Sequence, residues 1–560
     1  MKRRRGQLAS MMVFLVALIG MPGSSAALIG DCGNDGEVTI DELTLIVGIA
    51  LGNAPVTACL AADINGDGDI TIDEVIAAVS IALNGPPSTA TPTPTPTHNL
   101  TPTATATAVI TVIPPPTLLP SSTGLYVGIA KRDISPSCPN YLGGPVYLGG
   151  YGFGPSRKCD GVLAPIYVRA FVISNGTDTV VFAQNETQGS FAAYKKGPWG
   201  HTDSRLTIAA VTAGLIPADH IVINSCHSHS GPDTSGVFGG LSNGYLAYIK
   251  DQTVGAIIDA WQAMRPAQLR LGTINAGEYL HSQFGEPPND QVDQELRVLV
   301  AADPADATKL QGVMINYAAH ATIMDSDNLK VSSDWPGVAA TKVQQALGID
   351  TAVVMVADIG RTQPNGEEGA DEYAELDDYA TKITNKILTA VGTTQPVNGT
   401  DIAANQLFLR EGYNNSFIDA GILLQAISRS GKAPWLSDGT TVGTLVSTIK
   451  VGELFFAAMP GEGYPEIFFQ LQKNVPATKH FIFGLANDQL GYLIAPQEGY
   501  PQVAARAPID NDNALFNVSP LIGDHVMCKL FQASRNIGYT LPADPDKCAA
   551  WASEDNSIPY

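Results

Sequence analysis

The chain has 560 residues, enough for several domains, with 32 basic and 54 acidic residues and a net charge of −22. That balance argues against a nucleic-acid-binding protein, because phosphate recognition needs clustered lysine and arginine. A hydrophobic content of 45% permits large cores, while 55 glycines and 38 prolines indicate many turns and at least one linker.

The N-terminus has the three parts of a secretory signal peptide. Met1-Lys-Arg-Arg-Arg5 is basic, residues 11–21 are apolar, and Ser24-Ser-Ala26 offers small residues for cleavage. We therefore expect residues 1–26 to be removed and the protein to be secreted or attached to the cell surface. An uncleaved membrane anchor is the alternative, although the apolar stretch is short for a spanning helix.

Residues 28–85 contain a duplicated loop, and its second copy matches a calcium-binding loop closely. Residues 63–74 read Asp-Ile-Asn-Gly-Asp-Gly-Asp-Ile-Thr-Ile-Asp-Glu. In this pattern calcium is bound by side chains at positions 1, 3 and 5, a carbonyl at position 7 and a bidentate glutamate at position 12. The predicted ligands are Asp63, Asn65, Asp67, Asp69 (through its carbonyl) and Glu74.

The first copy, residues 31–42, keeps Asp31, Asp35 and Glu42 but has Gly33 at the third position, which predicts weaker calcium binding. Apolar segments at 43–51 and 75–83 predict a helix after each loop, so we expect a small all-α module that binds one or two Ca²⁺ ions. The unit resembles a type I dockerin, or an EF-hand pair derived from one. The resemblance implies a cohesin-type scaffold protein as a possible partner, and a calcium-stabilised spacer is the alternative.

Residues 86–122 predict a Thr/Pro-rich linker, because alternating proline favours extended polyproline II and the segment lacks an apolar set for a core. Residues 124–560 follow as one large domain. Apolar runs at 180–183, 221–223, 312–315 and 352–355 predict buried strands. Helical patterns at 203–214, 245–263 and 371–391 alternate with them. This alternation predicts a layered, mixed α/β domain.

The seven cysteines group locally, and export would permit disulfides. Plausible pairs are Cys32 with Cys59, Cys138 with Cys159, and Cys528 with Cys548, although sequence alone does not fix the connectivity. Cys226 is the one cysteine outside these three pairs. We favour a buried thiol there over a soft metal ligand.

The segment 221–233 carries two of the nine histidines in the chain, His227 and His229, directly after a predicted strand. Residues i and i+2 of an extended backbone point to the same face, so the two imidazoles suit a divalent metal. A pair of partly exposed loop histidines is the alternative. Three further segments end in metal-ligating or hydroxyl side chains after apolar runs, namely at His320, Glu462 and Tyr492. Taken one at a time, each has a structural explanation: His320 as a core histidine, Glu462 as a carboxylate at a helix N-terminus, and Tyr492 as a half-buried aromatic residue.

Taken in order, several segments resemble the neutral/alkaline (non-lysosomal) ceramidase family. His227-Ser-His-Ser-Gly-Pro232 is similar to the family's His-Thr-His-Ser-Gly-Pro motif. The other matching segments are 127–136, 149–151, 167–172, 319–322 with Ser333-Asp334, Pro460-Gly-Glu462 and Gly491-Tyr492. The resemblance spans most of residues 125–500.

The resemblance implies one Zn²⁺ bound by His227, His320, Glu462 and Tyr492, with His229 as the catalytic neighbour. Nitrogen and oxygen ligands suit zinc, which lowers the pKa of a bound water from about 16 toward 7. The expected reaction is hydrolysis of an amide (N-acyl) bond by the activated water, with His229 protonating the leaving amine.

The chain also departs from the family. Gln363 replaces a serine with a catalytic role, Arg361 replaces an aspartate, and no Asn-Arg-Ser-Pro segment is present, since residues 281–286 differ. The family's C-terminal β-sandwich is expected to be missing or severely shortened. These departures imply reduced activity, or a small-molecule or lipid amide other than ordinary ceramide, with peripheral membrane contact possible. The alternatives are a metal-dependent esterase or phosphoesterase on the same scaffold, and a non-catalytic surface- or scaffold-binding protein that retains zinc.

Overall fold

The chain divides into two compact units, Met1–Thr105 and Ala106–Tyr560. The computed structural model describes residues 28–78 with gaps at 34–35, 37, 40–41, 44, 47–48, 50–54, 65, 67, 71–73 and 76–77, and residues 111–548 with gaps at 153, 241, 285–290, 413–414, 416–426, 430–440, 495–515, 520 and 543–547. The expected signal peptide and most of the expected linker lie outside the described residues.

The N-terminal unit has its own small core. Its described part holds two short 3-10 turns, Val56–Ala58 and Leu60–Ala62, and helical residues at 42–43, 45–46, 49, 74–75 and 78. The buried apolar residues are Ile46, Ile49, Cys59, Ala62, Ile70 and Ala78. The helices expected over 43–51 and 75–83 fall partly outside the described residues, so the all-α module stays a prediction.

The larger unit is built from strands and helices in a mixed order. The strands are β1 Tyr126–Asp133, β2 Asn140–Tyr141, β3 Gly144–Pro145, β4 Tyr167–Ser174, β5 Thr179–Asn185, β6 Ile221–Ser225, β7 Arg265–Pro266, β8 Gln268–Asn275, β9 Leu280–Ser282, β10 Glu295–Asp303, β11 Asp306–Tyr317, β12 Ala352–Val356, β13 Thr362–Pro364, β14 Gln395–Pro396, β15 Ile402–Gly412, β16 Thr441–Val451, β17 Leu454–Ala458, β18 Glu462–Gly463, β19 Lys479–Phe483 and β20 Tyr492–Leu493. The α-helices are α1 His201–Val211, α2 Asn243–Gln262, α3 Asp334–Leu347, α4 Glu372–Gly392, α5 Pro465–Asn474 and α6 Ile522–Asn536.

Three larger sheets organise these strands, in the orders β6-β5-β4-β1-β7, β12-β11-β10-β8-β14 and β15-β16-β17-β19. Most neighbours are antiparallel, but β5 with β6, β11 with β12, and β17 with β19 are parallel. Short pairs join β13 to β9, β18 to β20 and β2 to β3. The predicted mixed α/β fold of the larger unit is confirmed, and each strand and helix predicted within residues 124–560 lies within or overlaps an observed one.

The three sheets share one apolar core and carry helices on their other faces. In β5, Val180 and Phe182 point into the shared core, whereas Val181 and Ala183 point toward the layer that contains α2. Helices α3 and α4 cover the second sheet, and α5 and α6 cover the third. Because these strands are buried on both faces, their sequences are continuous apolar runs rather than alternating ones.

The described residues contain three disulfides and end, in secondary structure, with a helix. The predicted pairings Cys32–Cys59, Cys138–Cys159 and Cys528–Cys548 are confirmed, and Cys226 is a buried free thiol. No strand follows Leu493 in the part of the chain that the structure describes, and the last described helix is α6. Within those residues, no helix has both the length and the apolarity that a membrane span requires.

Candidate metal and active site

Four strand ends deliver the candidate residues to one place. His227 and His229 follow β6, and His320 follows β11. Beyond β17 and β19, Glu462 opens β18 and Tyr492 opens β20, and the parallel pairing of β18 with β20 sets these two residues side by side. β6, β11, β17 and β19 each have a parallel neighbour, so the site lies where the carboxyl ends of parallel strands meet, a common location for ligand sites in open α/β sheets.

The three histidines form a cluster that could hold a metal ion. Their potential ligand atoms all lie within 4.8 Å of one another. The ring centroids of His227 and His320 are 4.8 Å apart, and the ring of His229 lies 5.1 Å from the first and 5.2 Å from the second. The spacing of His227 and His229 predicted this convergence only in part, because His320 comes from a different sheet.

The carboxylate of Glu462 lies against two of these imidazoles. Its Oε2 atom is 3.3 Å from Nε2 of His227 and 3.5 Å from Nε2 of His320. All three side chains are buried, and Glu462 Oε2 and His320 Nε2 make no hydrogen bond among the described residues. Buried polar atoms without hydrogen bonds are costly, so atoms that converge in this way fit a shared cation.

Backbone carbonyls orient two of the rings. Nδ1 of His227 lies 2.8 Å from the carbonyl oxygen of Gln188, and Nδ1 of His320 lies 3.1 Å from that of Ile359. A carbonyl only accepts, so each Nδ1 carries the proton and each Nε2 keeps its lone pair toward Glu462. This second layer of contacts is typical of metal-binding histidines, and the sequence gives no signal for it.

The backbone at His227 adopts a left-handed conformation, with φ of +61°. Such a conformation costs a non-glycine residue about 1–3 kcal/mol and persists only where the surroundings enforce it. Here the amide of Cys226 donates to the carbonyl of Asn185, and that of His227 donates to Thr187. The chain is therefore not extended at His227, so the two imidazoles do not share one strand face as their spacing predicted, although their ring centroids still lie 5.1 Å apart.

Burial and neighbouring charges have opposing effects on the pKa values of the candidate ligands Glu462 and His227. Burial alone would raise the pKa of Glu462, but His227, His320 and the Tyr492 hydroxyl outweigh it and hold this pKa below its usual range. Burial would lower the pKa of His227, yet the Glu462 carboxylate raises it overall. Burial, then the charge of His227, lowers the pKa of His320 to about 4. The carboxylate is therefore ionised at neutral pH, which suits a metal ligand.

His229 has different surroundings. Burial, followed by the charges of His227, His320 and Arg157, lowers its pKa well below the usual value, so its imidazole is neutral at pH 7. Its ring packs edge-on against Tyr151 with centroids 4.7 Å apart. At Gly150 a Cβ atom would stand only 2.3 Å from Cγ of His229. The glycine is therefore needed for the ring to approach, a role that the sequence motif 149–151 did not reveal.

Arg157 is a second residue that sequence reasoning missed. It is buried, and its Nη1 atom donates to the carbonyl oxygens of Gly149 and His229 at 2.9 and 2.7 Å. Its guanidinium also lies over the Tyr151 ring, 5.0 Å from the centroid. The side chain thus ties together the two loops that flank His229.

Two chambers adjoin the cluster, and both are bordered by Gly150, His229 and Tyr492. The first, called the apolar chamber, has mainly hydrophobic walls, which include Phe191, Val237, Phe238, Leu490, Phe516 and Val518. The second, called the polar chamber, is lined by hydrogen-bonding side chains, which include Tyr151, His281, Gln283, Thr322, Gln363 and Glu367.

The two departures from the family motif lie in different settings. Gln363 lines the polar chamber, where its Oε1 accepts a hydrogen bond of 2.9 Å from the Thr322 hydroxyl. Arg361 is buried in an ion pair with Glu466 and lies over the Tyr464 ring, 5.3 Å from the centroid. Gln363 thus borders the candidate site, whereas Arg361 belongs to the packing beneath it.

Comparisons with known proteins concern the sequence and the fold of the larger unit. Residues 126–365 match the family model of neutral/alkaline non-lysosomal ceramidase, N-terminal. The fold is similar to that of neutral ceramidase from Pseudomonas aeruginosa, with a TM-score of 0.60 and 16% identity over 77% of this chain and 78% of that one. A structure described as a ceramidase complexed with C2 is similar to the same degree, with a TM-score of 0.60 and 16% identity over 76% of this chain and 77% of that one. No curated protein matches the chain.

These findings show what the larger unit resembles in sequence and in fold. Its first part carries the sequence pattern of the ceramidase family, and its described structure has the ceramidase fold. The matched segment contains His227, His229 and His320, whereas Glu462 and Tyr492 lie beyond it. The assignment of individual ligands and of the catalytic residue stays a prediction.

Proposed function

We propose that the larger unit is a zinc-dependent hydrolase that cleaves the amide bond of an N-acyl compound, with His227, His320, Glu462 and Tyr492 as the zinc ligands. The observation that carries the proposal is the approach of two imidazole Nε2 atoms, at 3.3 and 3.5 Å, to one buried carboxylate oxygen. Zinc binds nitrogen and oxygen at about 2.0–2.1 Å, so neighbouring ligand atoms of a tetrahedral site lie about 3.4 Å apart. The observed spacing fits that value.

A site formed by the three histidines is the alternative ligand set. Two features favour Glu462 over His229 as the third ligand. Carbonyl oxygens fix the Nδ1 atoms of His227 and His320, whereas Nδ1 of His229 has no hydrogen-bond partner among the described residues. In addition, an anionic ligand lowers the net charge of a buried zinc site, which neutral imidazoles alone do not. His229 then stays available for proton transfer.

A bound zinc ion supplies Lewis-acid chemistry, because it lowers the pKa of a coordinated water toward about 7. His229 borders both chambers and is neutral at pH 7, so it can accept a proton from the attacking water. It can then give that proton to the nitrogen of the departing amine, which completes general base and general acid catalysis by one group. Tyr151 packs edge-on against this ring, and Arg157 fixes the backbone of His229 through its carbonyl oxygen.

An acyl chain is the best match for the apolar chamber. Transfer of each methylene group from water into such a cavity contributes about 0.8 kcal/mol of binding free energy. The match of residues 126–365 to the ceramidase family supports an amide rather than another linkage. The substrate is therefore a lipid or small-molecule amide.

Metal analysis combined with a substrate panel tests the proposal. Purified full-length protein is loaded with zinc, and fluorogenic N-acyl amides, esters and phosphoesters are offered at equal concentration. We expect one zinc per chain and turnover of the amides. Turnover of esters or phosphoesters alone would establish the alternative hydrolase, and zinc binding without any turnover would establish a binding protein. As a matched control, His220→Ala removes a histidine outside the cluster and should change neither result.

We also propose that residues 28–85 form a calcium-binding module of the dockerin or EF-hand type. Support comes from the loop carboxylates. Asp63 accepts hydrogen bonds from the amides of Gly66 and Gly68 at 2.8 and 3.0 Å, and Glu74 accepts one from Ile64 at 2.8 Å. Such bonds fold each loop around its own carboxylates, as a calcium site requires. Asp31 and Glu42 make similar contacts in the first loop, while Asp35, Asn65 and Asp67 lie outside the described residues.

Secretion, the boundaries of the four segments and a cohesin-type partner belong to the same proposal. The three disulfides support export, because such bonds form in oxidising compartments. Mass spectrometry of the exported protein, with a new N-terminus near residue 27, tests the cleavage of the signal peptide.

A further inference from the structure

The polar chamber has a chemical character opposite to that of the apolar chamber, although both adjoin His229. A substrate held across the cluster would therefore place its two halves in different surroundings. The half that carries the acyl chain matches the apolar walls. The half that carries the nitrogen must then fit the polar chamber.

Gln363 is one of the hydrogen-bonding residues that line the polar chamber. Its backbone pairs with that of His281 between β13 and β9, so the two side chains share one face of this short ladder. Since the Thr322 hydroxyl donates to its Oε1, the carboxamide NH₂ of Gln363 is left to donate into the chamber. That NH₂ has no partner among the described residues. A polar atom of the substrate is the partner that the geometry offers it.

An alkyl chain in this chamber would bury several polar groups without replacing their hydrogen bonds to water. Gln363, Thr322 and His281 would each lose solvent partners, and unpaired buried donors and acceptors oppose binding. A second long chain, as a two-chain lipid amide carries, is therefore a poor fit. A short amine with a hydroxyl group would pair with the same groups.

The charge of the polar chamber further restricts which amine group of the substrate can bind there. Glu367 contributes a carboxylate to the lining, and no lysine or arginine is among the described lining residues. A carboxylate on the amine half would face this like charge without a cationic partner. The chamber therefore disfavours amides of amino acids.

We infer that the substrate is a single-chain N-acyl amino alcohol, with its acyl chain in the apolar chamber and its short hydroxylated amine beside Gln363. The inference rests on the proposed function and specifies its substrate class. Gln363 is thereby a specificity-determining residue at the position where the resembled family has a serine.

Three amides with the same dodecanoyl chain test this inference on the zinc-loaded full-length protein: those of ethanolamine, glycine and sphingosine. We expect kcat/KM for the ethanolamine amide to exceed both others by about ten-fold or more, the effect of one hydrogen bond or one opposed charge. Gln363→Leu should reduce this advantage over the sphingosine amide by about ten-fold. Gln395→Leu, the same change at an exposed glutamine of β14, should leave it unchanged.

Equal or faster cleavage of the sphingosine or glycine amide would overturn the inference while the proposed function stands. Cleavage of none of the three would instead contradict the proposed function. Calorimetric binding of the same amides then decides the inference separately, because the ethanolamine amide should still bind most tightly in wild type and lose that preference in Gln363→Leu. Tighter binding of the sphingosine amide would overturn it.

Discussion

Nε2 of His227 lies 3.3 Å from Oε2 of Glu462, although the two residues follow strands of different sheets. The contact joins the end of β6 to the turn after β17. Nε2 of His320, which follows β11 of the second sheet, lies 3.5 Å from the same Glu462 oxygen. One carboxylate thus links all three sheets at a single point. The proposed activity depends on that convergence.

His229→Ala separates catalysis from metal binding. We expect turnover of N-acyl amides to fall by about 10²–10⁴-fold, the usual contribution of a general acid or base, while the zinc content stays at the wild-type level. Steady-state kinetics and elemental analysis of one preparation provide both values. Loss of zinc would mean that His229 is a ligand, and an unchanged rate would remove it from the mechanism.

Gly150→Ala tests the packing beneath the His229 ring. Gly150 and Gly152 both have a positive φ, +94° and +68°, so alanine costs about 1–2 kcal/mol of backbone strain at either site. Only at Gly150 would the new Cβ atom collide with His229, whereas at Gly152 the nearest atom is Ser156 Oγ at 3.6 Å. We expect a larger loss of both melting temperature and kcat for Gly150→Ala, because only there must the His229 ring move to relieve the clash. Equal kcat values would show that the ring position is unimportant.

The acid stability of the protein should depend on His201, the first residue of α1. The side chain is buried, neither ring nitrogen has a hydrogen-bond partner among the described residues, and burial lowers its pKa to about 3. The unfolded chain takes up a proton below about pH 6.5 and the folded chain does not. The stability that results is present above pH 6.5 and is lost as the pH falls toward 3, by about 1.4 kcal/mol per pH unit.

Replacement of His201 by leucine removes that titration. The free energy of unfolding, measured by denaturant titration at pH 7.5 and 5.5, should fall by about 1 kcal/mol more in wild type than in His201→Leu. His220→Leu, at a partly exposed histidine, serves as the control and should behave like wild type. An identical decrease in wild type and His201→Leu would contradict the assignment.

Calcium should stabilise the N-terminal unit mainly through its second loop. Addition of Ca²⁺ is expected to raise the melting temperature of that transition, and Glu74→Ala should remove most of the increase because position 12 supplies two oxygens. Glu42→Ala should remove less, since the first loop has Gly33 where the second has Asn65. Calorimetry with and without a chelator gives these values. A melting temperature that is the same with and without the chelator would refute calcium binding.

Much of the fold follows from local sequence. Runs such as 180–183 and 352–355 are apolar throughout because both faces of their strands are buried, and this pattern identified them as strands. The disulfides were predictable because each pair is close in sequence. The candidate residues His227, His320, Glu462 and Tyr492 came from motif resemblance, since nothing in their spacing indicates that they meet.

The rest depends on tertiary placement. The carbonyls of Gln188 and Ile359 that orient the imidazoles have no signature in the sequence, because any residue has a carbonyl. Arg157 lies in a loop, and its side chain becomes buried only in the folded protein, where it donates hydrogen bonds to the carbonyl oxygens of Gly149 and His229. The two chambers likewise arise from distant segments, so the role of Gln363 appears only in three dimensions.

Zinc stoichiometry of the ligand variants tests the central claim most directly. Inductively coupled plasma mass spectrometry on the full-length protein should give one zinc per chain for wild type and for His220→Ala. Values well below one are expected for His227→Ala, His320→Ala and Glu462→Ala, with circular dichroism confirming that each variant is folded. A full complement of zinc in all three variants, or no zinc in wild type, would contradict the account.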